Sequence, residues 1–252
     1  MDEKILRLEA KDITKSFYID VLRDESALQG VIRFLKRKTE KKKLAVIKNI
    51  SLNAYSNEVI GIIGKNGSGK STLLRVLAEV YKADSGYIKT HGRVVYMSGF
   101  SQGLNPRLTM RENIYLMGSI LGLSQNAIKQ KFNAIVEFSE LGVFVDTPVY
   151  KFSSGMVVRL GFSVTIHCLN HNYPEIFLLD ETLEAGGDRY FKEKVSKKIE
   201  ELIKGGATVI IVSHNMENIM KYCNRVILLD NGGVVIEGKP EEVIEQYMNG
   251  FK

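Results

Sequence analysis

The chain has 252 residues, 44% hydrophobic and 25% charged, with a formal net charge of +6, a composition that excludes a largely disordered or low-complexity protein and fits one sizeable core or two small domains. Its two cysteines, Cys168 and Cys223, lie among apolar neighbours at no metal-ligand spacing, which excludes a disulfide framework and a zinc site and points to a reducing cytosol. The opening MDEKILRLEA carries acids where a secretory signal carries basic and then apolar residues, and no apolar run reaches the ~18 residues of a membrane span.

The positive charge is local. Residues 23 to 43 hold eight bases (Arg23, Arg33, Lys36, Arg37, Lys38, Lys41, Lys42, Lys43) and three acids (Asp24, Glu25, Glu40), a net +5 of the total +6. A broad nucleic-acid face is therefore not expected. Within this stretch Leu28, Val31, Ile32 and Leu35 recur at i, i+3, i+4 and i+7, so Ser26 to Lys38 reads as an amphipathic helix with Arg33, Lys36 and Arg37 off its apolar stripe. One reading is a solvated surface helix; the other is a contact with the anionic cytoplasmic leaflet or with a charged lipid-linked glycan at the mouth of a channel.

Next come short apolar runs of the length of buried parallel strands, Val59 to Ile63, Ile176 to Leu179, Val209 to Val212 and Val226 to Leu229, with helical patterns between them. Ser71 to Tyr81 places Leu73, Leu74, Leu77, Ala78 and Tyr81 on one face. Shorter alternating strands such as Arg93 to Met97, with turns at Asp84-Ser85-Gly86 and His91-Gly92, read as an antiparallel flank. From about Pro106 to Lys151 the pattern is helical, opening on Thr109 and Glu112 at capping-box spacing, repeating at Ile128, Phe132, Ile135 and Val136, and broken at Gly118 and Gly122. Asn231-Gly232-Gly233 reads as a turn between strands, and Pro240 opens a last helix. The fold class expected is α/β, a parallel-sheet phosphate-loop core with an antiparallel flank and an inserted helical subdomain, about 106–165, in one domain of 1–252.

Gly64-Lys65-Asn66-Gly67-Ser68-Gly69-Lys70-Ser71 fits G-x-x-x-x-G-K-S/T at every position, follows an apolar strand and opens a helix that continues through Thr72. Its glycines let N–H groups turn toward a polyphosphate, Lys70 supplies charge to the terminal phosphates, and Ser71 can ligate Mg²⁺. EIFLLDE, from Glu175 to Glu181, delivers two carboxylates to a strand end. Neighbours on a strand point apart, so Asp180 can hold Mg²⁺ while Glu181 orients or deprotonates an attacking water. His214 follows another apolar strand at the same kind of edge and can hydrogen-bond a terminal phosphate. His91, His167 and His171 lack such company and read as structural or surface residues.

This combination resembles the nucleotide-binding subunit of ABC transporters over nearly the whole chain. Ser153-Ser154-Gly155-Met156 stands where that family has its LSGGQ signature, and this variant, with the NPRLTMRENI stretch and the stretch from VSHNMENIM onward, is similar to the branch exporting polysaccharide, O-antigen or teichoic acid. The resemblance implies that Ser153 and Gly155 contact the nucleotide held by a second copy. It implies two chains head to tail around two ATP molecules with Mg²⁺, and a separate transmembrane permease docked on the helical subdomain. A peripheral location on the cytoplasmic face of the membrane follows, with no nucleic-acid partner. It also implies an aromatic stacked on adenine, Phe17 with Tyr18 as the alternative, and a metal-sensing glutamine, for which Gln102 is the candidate. After Glu181 either Glu184 or Asp188 is the acid that touches the partner copy. The rival class is a soluble ATP-driven clamp or assembly factor; the long coiled coil or duplicated motif set of such relatives is absent from this sequence.

Overall fold

The computed structural model describes residues 4–20, 41–98, 103–168, 175–180 and 189–250. The helix expected at 26–38, with Arg33, Lys36 and Arg37, lies outside the described residues, as do Gln102, Glu181, Glu184 and Asp188.

In chain order the strands are β1 (Leu6–Asp20), β2 (Lys41–Tyr55), β3 (Val59–Ile63), β4 (Ser85–Thr90), β5 (Arg93–Met97), β6 (Glu175–Asp180), β7 (Thr208–Val212), β8 (Arg225–Asp230) and β9 (Gly233–Gly238). The helices are α1 (Lys70–Leu77), α2 (Met110–Ile120), α3 (Gln125–Ser139), α4 (Ser154–Cys168), α5 (Arg189–Lys204), α6 (Met216–Tyr222) and α7 (Pro240–Met248). One sheet is antiparallel, in the order β2-β1-β4; the other runs β5-β6-β7-β3-β8-β9, parallel except for β9.

The central strand explains the layering. All five residues of β3 are buried, and because side chains alternate across a sheet they feed two different cores. Val59 and Ile63 join Phe177, Leu179, Val209 and Ile211 beneath α5, α6 and α7. Ile60 and Ile62 join Ile176, Leu178, Ile210 and Val212 against Leu73, Leu74 and Leu77 of α1 and against the antiparallel sheet at Leu8, Ala10 and Ile13. Each fully buried Ile or Leu contributes about 1.5–3 kcal/mol relative to exposure, so a strand apolar on both faces is stable only where both faces are covered. A third core, built from Met110, Ile114, Ile128, Ile135, Leu160 and Val164, belongs to the helical unit of α2, α3 and α4.

The structure departs from the sequence expectations at three places. Arg93–Met97 is no part of the antiparallel flank: it pairs parallel with β6 as the edge of the central sheet, its Val95 and Met97 buried in the first core. The first helix stops at Leu77 instead of Tyr81, because Glu79 takes a left-handed φ of 56° and the N–H groups of Val80 and Tyr81 fold back to the Arg75 carbonyl. Gly118 breaks nothing. It lies inside α2, where a Cβ would stand 2.7 Å from Ile128 Cγ1, so the glycine is there to let α2 and α3 approach closely. The helix starts behave as read: Thr109 and Glu112 form a complete capping box on α2, worth about 1 kcal/mol, and Pro240 sits in the first turn of α7.

Candidate nucleotide site

The loop between β3 and α1 is held open by its own geometry. Gly64, Gly67 and Gly69 all have positive φ, and a Cβ on Gly64 would lie 2.2 Å from the carbonyl oxygen of Leu229 on the neighbouring β8. Only glycine fits that approach. Lys70 is 5% exposed and donates to the carbonyls of Gly64 at 2.9 Å and Lys65 at 3.0 Å. Its ammonium thus curls back over the loop, where burial of a charge is offset by hydrogen bonds. The turn at 231–233 braces the loop from outside: Gly232 N–H donates to Ser68 O at 3.1 Å, and Lys48 N–H donates to Gly232 O at 2.8 Å. Lys65, Asn66 and Gly67 are exposed at the tip.

Three strand ends meet beside this loop. Ile62 of β3 and Asp180 of β6 both pair with Val212 of the intervening β7, so Gly64, Asp180 and the Ser213-His214 pair emerge together at the carboxyl edge of the sheet, where open α/β sheets bind ligands. Asp180 is 8% exposed and is gripped through both oxygens. Ser71 Oγ donates to Oδ1 at 2.9 Å and Tyr96 Oη donates to Oδ2 at 3.3 Å. His214 is exposed at the edge, while Ser213 beneath it is buried and accepts the Asn215 N–H at 2.9 Å, setting the turn into α6.

The residues present fit ATP and Mg²⁺. Ser68 Oγ, in a residue 3% exposed, has no hydrogen-bond partner among the described residues, an orphan polar atom aligned with a loop built to receive oxygens. Ser71 and Asp180 offer the hard oxygen donors that Mg²⁺ takes.

The other predicted residues lie elsewhere. Ser153 caps α4, its Oγ accepting the Met156 N–H at 3.3 Å, and Ser153 and Ser154 are exposed. A Cβ on Gly155 would meet nothing closer than Ser153 Oγ at 3.9 Å. Met156 and Val157 anchor this helix start in the third core. The signature is therefore an exposed helix N-terminus on the helical unit. Phe17 packs edge-on against Tyr81, just past α1, at 5.4 Å between ring centroids, with Lys15 Nζ 5.5 Å from its centroid. Tyr18, on the opposite side of the strand, is 67% exposed.

Sequence reading missed Tyr96 and Arg75. Arg75 Nε donates to Tyr96 Oη at 3.1 Å, and its guanidinium lies 5.9 Å from the centroid of Tyr81. The available signal was positional: once Arg93–Met97 is placed next to β6, Tyr96 falls in register with Leu178, on the α1 side of the sheet and two residues before Asp180.

Fold and site together define a phosphate-loop nucleotide-binding protein of the α/β class. The family described as ABC transporter matches residues 47–184, and the chain belongs to that family, whose nucleotide-binding subunits are ATPases. It is 42% identical over 206 residues, 82% of each chain, to the O-antigen export system ATP-binding protein RfbB of Klebsiella pneumoniae. It is 37% identical over 247 residues to the teichoic acids export ATP-binding protein TagH of Lactococcus lactis subsp. lactis (strain IL1403), covering 98% of this chain and 52% of that one. Its fold matches a dimeric ATP-binding cassette in a post-hydrolysis state bound to ADP and Pi, with a TM-score of 0.71 at 22% identity over 92% of this chain and 98% of that one.

Proposed function

We propose that this chain is the ATP-hydrolysing subunit of an exporter that moves a lipid-linked polysaccharide of the O-antigen, capsule or teichoic acid type across the cytoplasmic membrane. The observation that carries this reading is its 42% identity, over 82% of both chains, to an O-antigen export ATP-binding protein. Among the described residues no helix is long and apolar enough to cross a membrane; in this proposal the path for the glycan is supplied by a separate permease. The subunit sits on that permease at the cytoplasmic face through its helical unit.

In this reading the loop N–H groups and Lys70 bind the phosphates, Phe17 stacks on adenine, and Ser71 and Asp180 hold Mg²⁺. Bound there, the cation would supply positive charge to neutralise the phosphate oxygens. Glu181 orients the attacking water and accepts its proton, and His214 hydrogen-bonds the terminal phosphate. Ser153 and Gly155 of a second copy close the site from the other side, through the hydroxyl and the free N–H groups of the α4 start, which favour negative charge. Gln102 links metal to the helical unit, Asp188 meets the opposite copy, and Arg33, Lys36 and Arg37 face the membrane surface or the glycan head.

The test is affinity extraction of the tagged full chain from membranes of its own source cells, followed by mass spectrometry. Recovery of a polytopic membrane protein together with a glycolipid is expected. Recovery of soluble partners only would place the ATPase among clamps and assembly factors and remove the transport assignment.

A further inference from the structure

Arginine has donors and no acceptor. Because Arg75 Nε donates to the Tyr96 hydroxyl oxygen at 3.1 Å, the phenolic proton is left for Asp180 Oδ2, 3.3 Å away. The direction of the chain Arg75 to Tyr96 to Asp180 is therefore set by chemistry alone. The hydrogen bond to Tyr96 raises the pKa of the Arg75 guanidinium, so the first link stays charged.

Arg75 is itself well placed to hold Tyr96 still. It sits in the last turn of α1, its carbonyl accepts the N–H groups of Val80 and Tyr81, and its guanidinium lies over the Tyr81 ring. Of the two groups that grip Asp180 among the described residues, Ser71 is itself assigned to the metal. Tyr96 is the one that comes from outside the metal shell. Its 3.3 Å contact is longer than the ~2.7–2.8 Å usual for an O–H donor, which leaves it room to tighten.

We propose that Tyr96, oriented by Arg75, is a positioning residue that fixes the Asp180 carboxylate for Mg²⁺. The proposal rests on the reading that Asp180 holds the cation and goes beyond it by assigning two residues outside every recognised motif of this chain. Partners of metal-binding carboxylates set metal affinity by removing alternative orientations of the ligand, commonly by about 10–100-fold.

The experiment is a Mn²⁺ titration of the full chain with saturating ADP, read by the electron paramagnetic resonance signal of free Mn²⁺, beside ADP affinity measured in EDTA. Tyr96→Phe keeps the ring and removes the hydroxyl; Mn²⁺ affinity is expected to fall about tenfold, with metal-free ADP affinity unchanged. Arg75→Met, which cannot donate, should fall in the same direction, and Arg75→Lys, which still donates, should recover part of the loss. Asp180→Asn is the reference. If Asp180→Asn abolishes Mn²⁺ binding while Tyr96→Phe stays within about twofold of the unaltered chain, the positioning role is overturned and the metal reading stands. Should Asp180→Asn itself bind Mn²⁺ normally, the metal reading falls and the positioning role with it. Equal losses of metal-free ADP and Mn²⁺ affinity in Tyr96→Phe would mark a scaffold residue and likewise overturn the proposal.

Discussion

The phosphate loop and the signature are both glycine-containing helix starts, yet the chain builds them in opposite ways. Around the loop, Ser68, Lys70 and Asp180 are buried, Lys70 is tied to two carbonyls, and Gly64 has the Leu229 carbonyl where its Cβ would be. Around the signature, Ser153 and Ser154 are exposed, and a Cβ on Gly155 would make only an ordinary 3.9 Å contact with Ser153 Oγ. A site shaped by its own chain needs glycine for folding; a surface offered to another molecule needs glycine for what arrives there. The contrast predicts that substitutions of the first kind cost stability and that substitutions of the second kind cost turnover alone.

The largest effects should come at the chemical step. Glu181→Gln should lower ATP turnover by at least about a thousandfold while ATP binding persists and ATP drives the chain into a stable dimer, measured by phosphate release and sedimentation. Lys70→Ala should instead remove ATP binding. Retained turnover in the glutamine variant would reject Glu181 as the base.

The glycines come next and bear directly on the contrast. Gly64→Ala should melt well below the unaltered chain, because a backbone carbonyl cannot move aside cheaply. Gly155→Asp should melt within about 1–2 °C of it, since an acid in the first turn of α4 is tolerated and even favoured, and yet lose nearly all turnover. A normal melting temperature for the first, or normal activity for the second, would erase the distinction.

Smaller effects are expected in the helical unit. Gly118→Ala should destabilise by about 1–3 kcal/mol through crowding of Ile128. Glu140 accepts Lys194 Nζ of α5 at 2.9 Å and Arg159 of α4 at 2.8 Å, and the Lys194 hydrogen bond, followed by that of Arg159, lowers its pKa against the opposing desolvation. A lowered folded pKa adds stability above the ordinary glutamate pKa of about 4.3, lost as pH falls through the folded value. Glu140→Gln should therefore flatten the acid side of the melting curve between about pH 5 and 3, and an unchanged or steeper acid side would contradict the stabilising role of these two pairs. Smallest of all, Cys168 and Cys223 are buried with their thiols pushed up by desolvation to about 11 and about 12. Neither should react with iodoacetamide at pH 8 in the folded chain, as peptide mass mapping can show.

Much of the fold was legible because it is written in local patterns. Val59–Ile63 is apolar without alternation and is buried on both faces, and Thr109 and Glu112 carry their cap in their spacing. The phosphate loop and Asp180 follow from strand, turn and helix in sequence. What was not legible is what depends on pairing. The half-exposed alternation of Arg93–Met97 does not say whether its neighbour runs parallel or antiparallel, and only the β6 partnership turns Tyr96 toward Asp180. The end of α1 was missed because Tyr81 keeps the helical spacing and packs on the same core, although the backbone has already left the helix at the left-handed Glu79.

In the proposed dimer the loop of one copy is completed by the signature of another. Asn66→Cys at the exposed loop tip and Ser153→Cys at the α4 start should be made in separate chains, mixed, and treated with a short bifunctional thiol linker with and without ATP. The two native thiols are buried and should stay silent. A cross-linked dimer is expected to appear with ATP and to disappear when Lys70→Ala is added to the loop-bearing chain. A mixture that stays monomeric in ATP, or cross-links equally without it, would contradict the shared site.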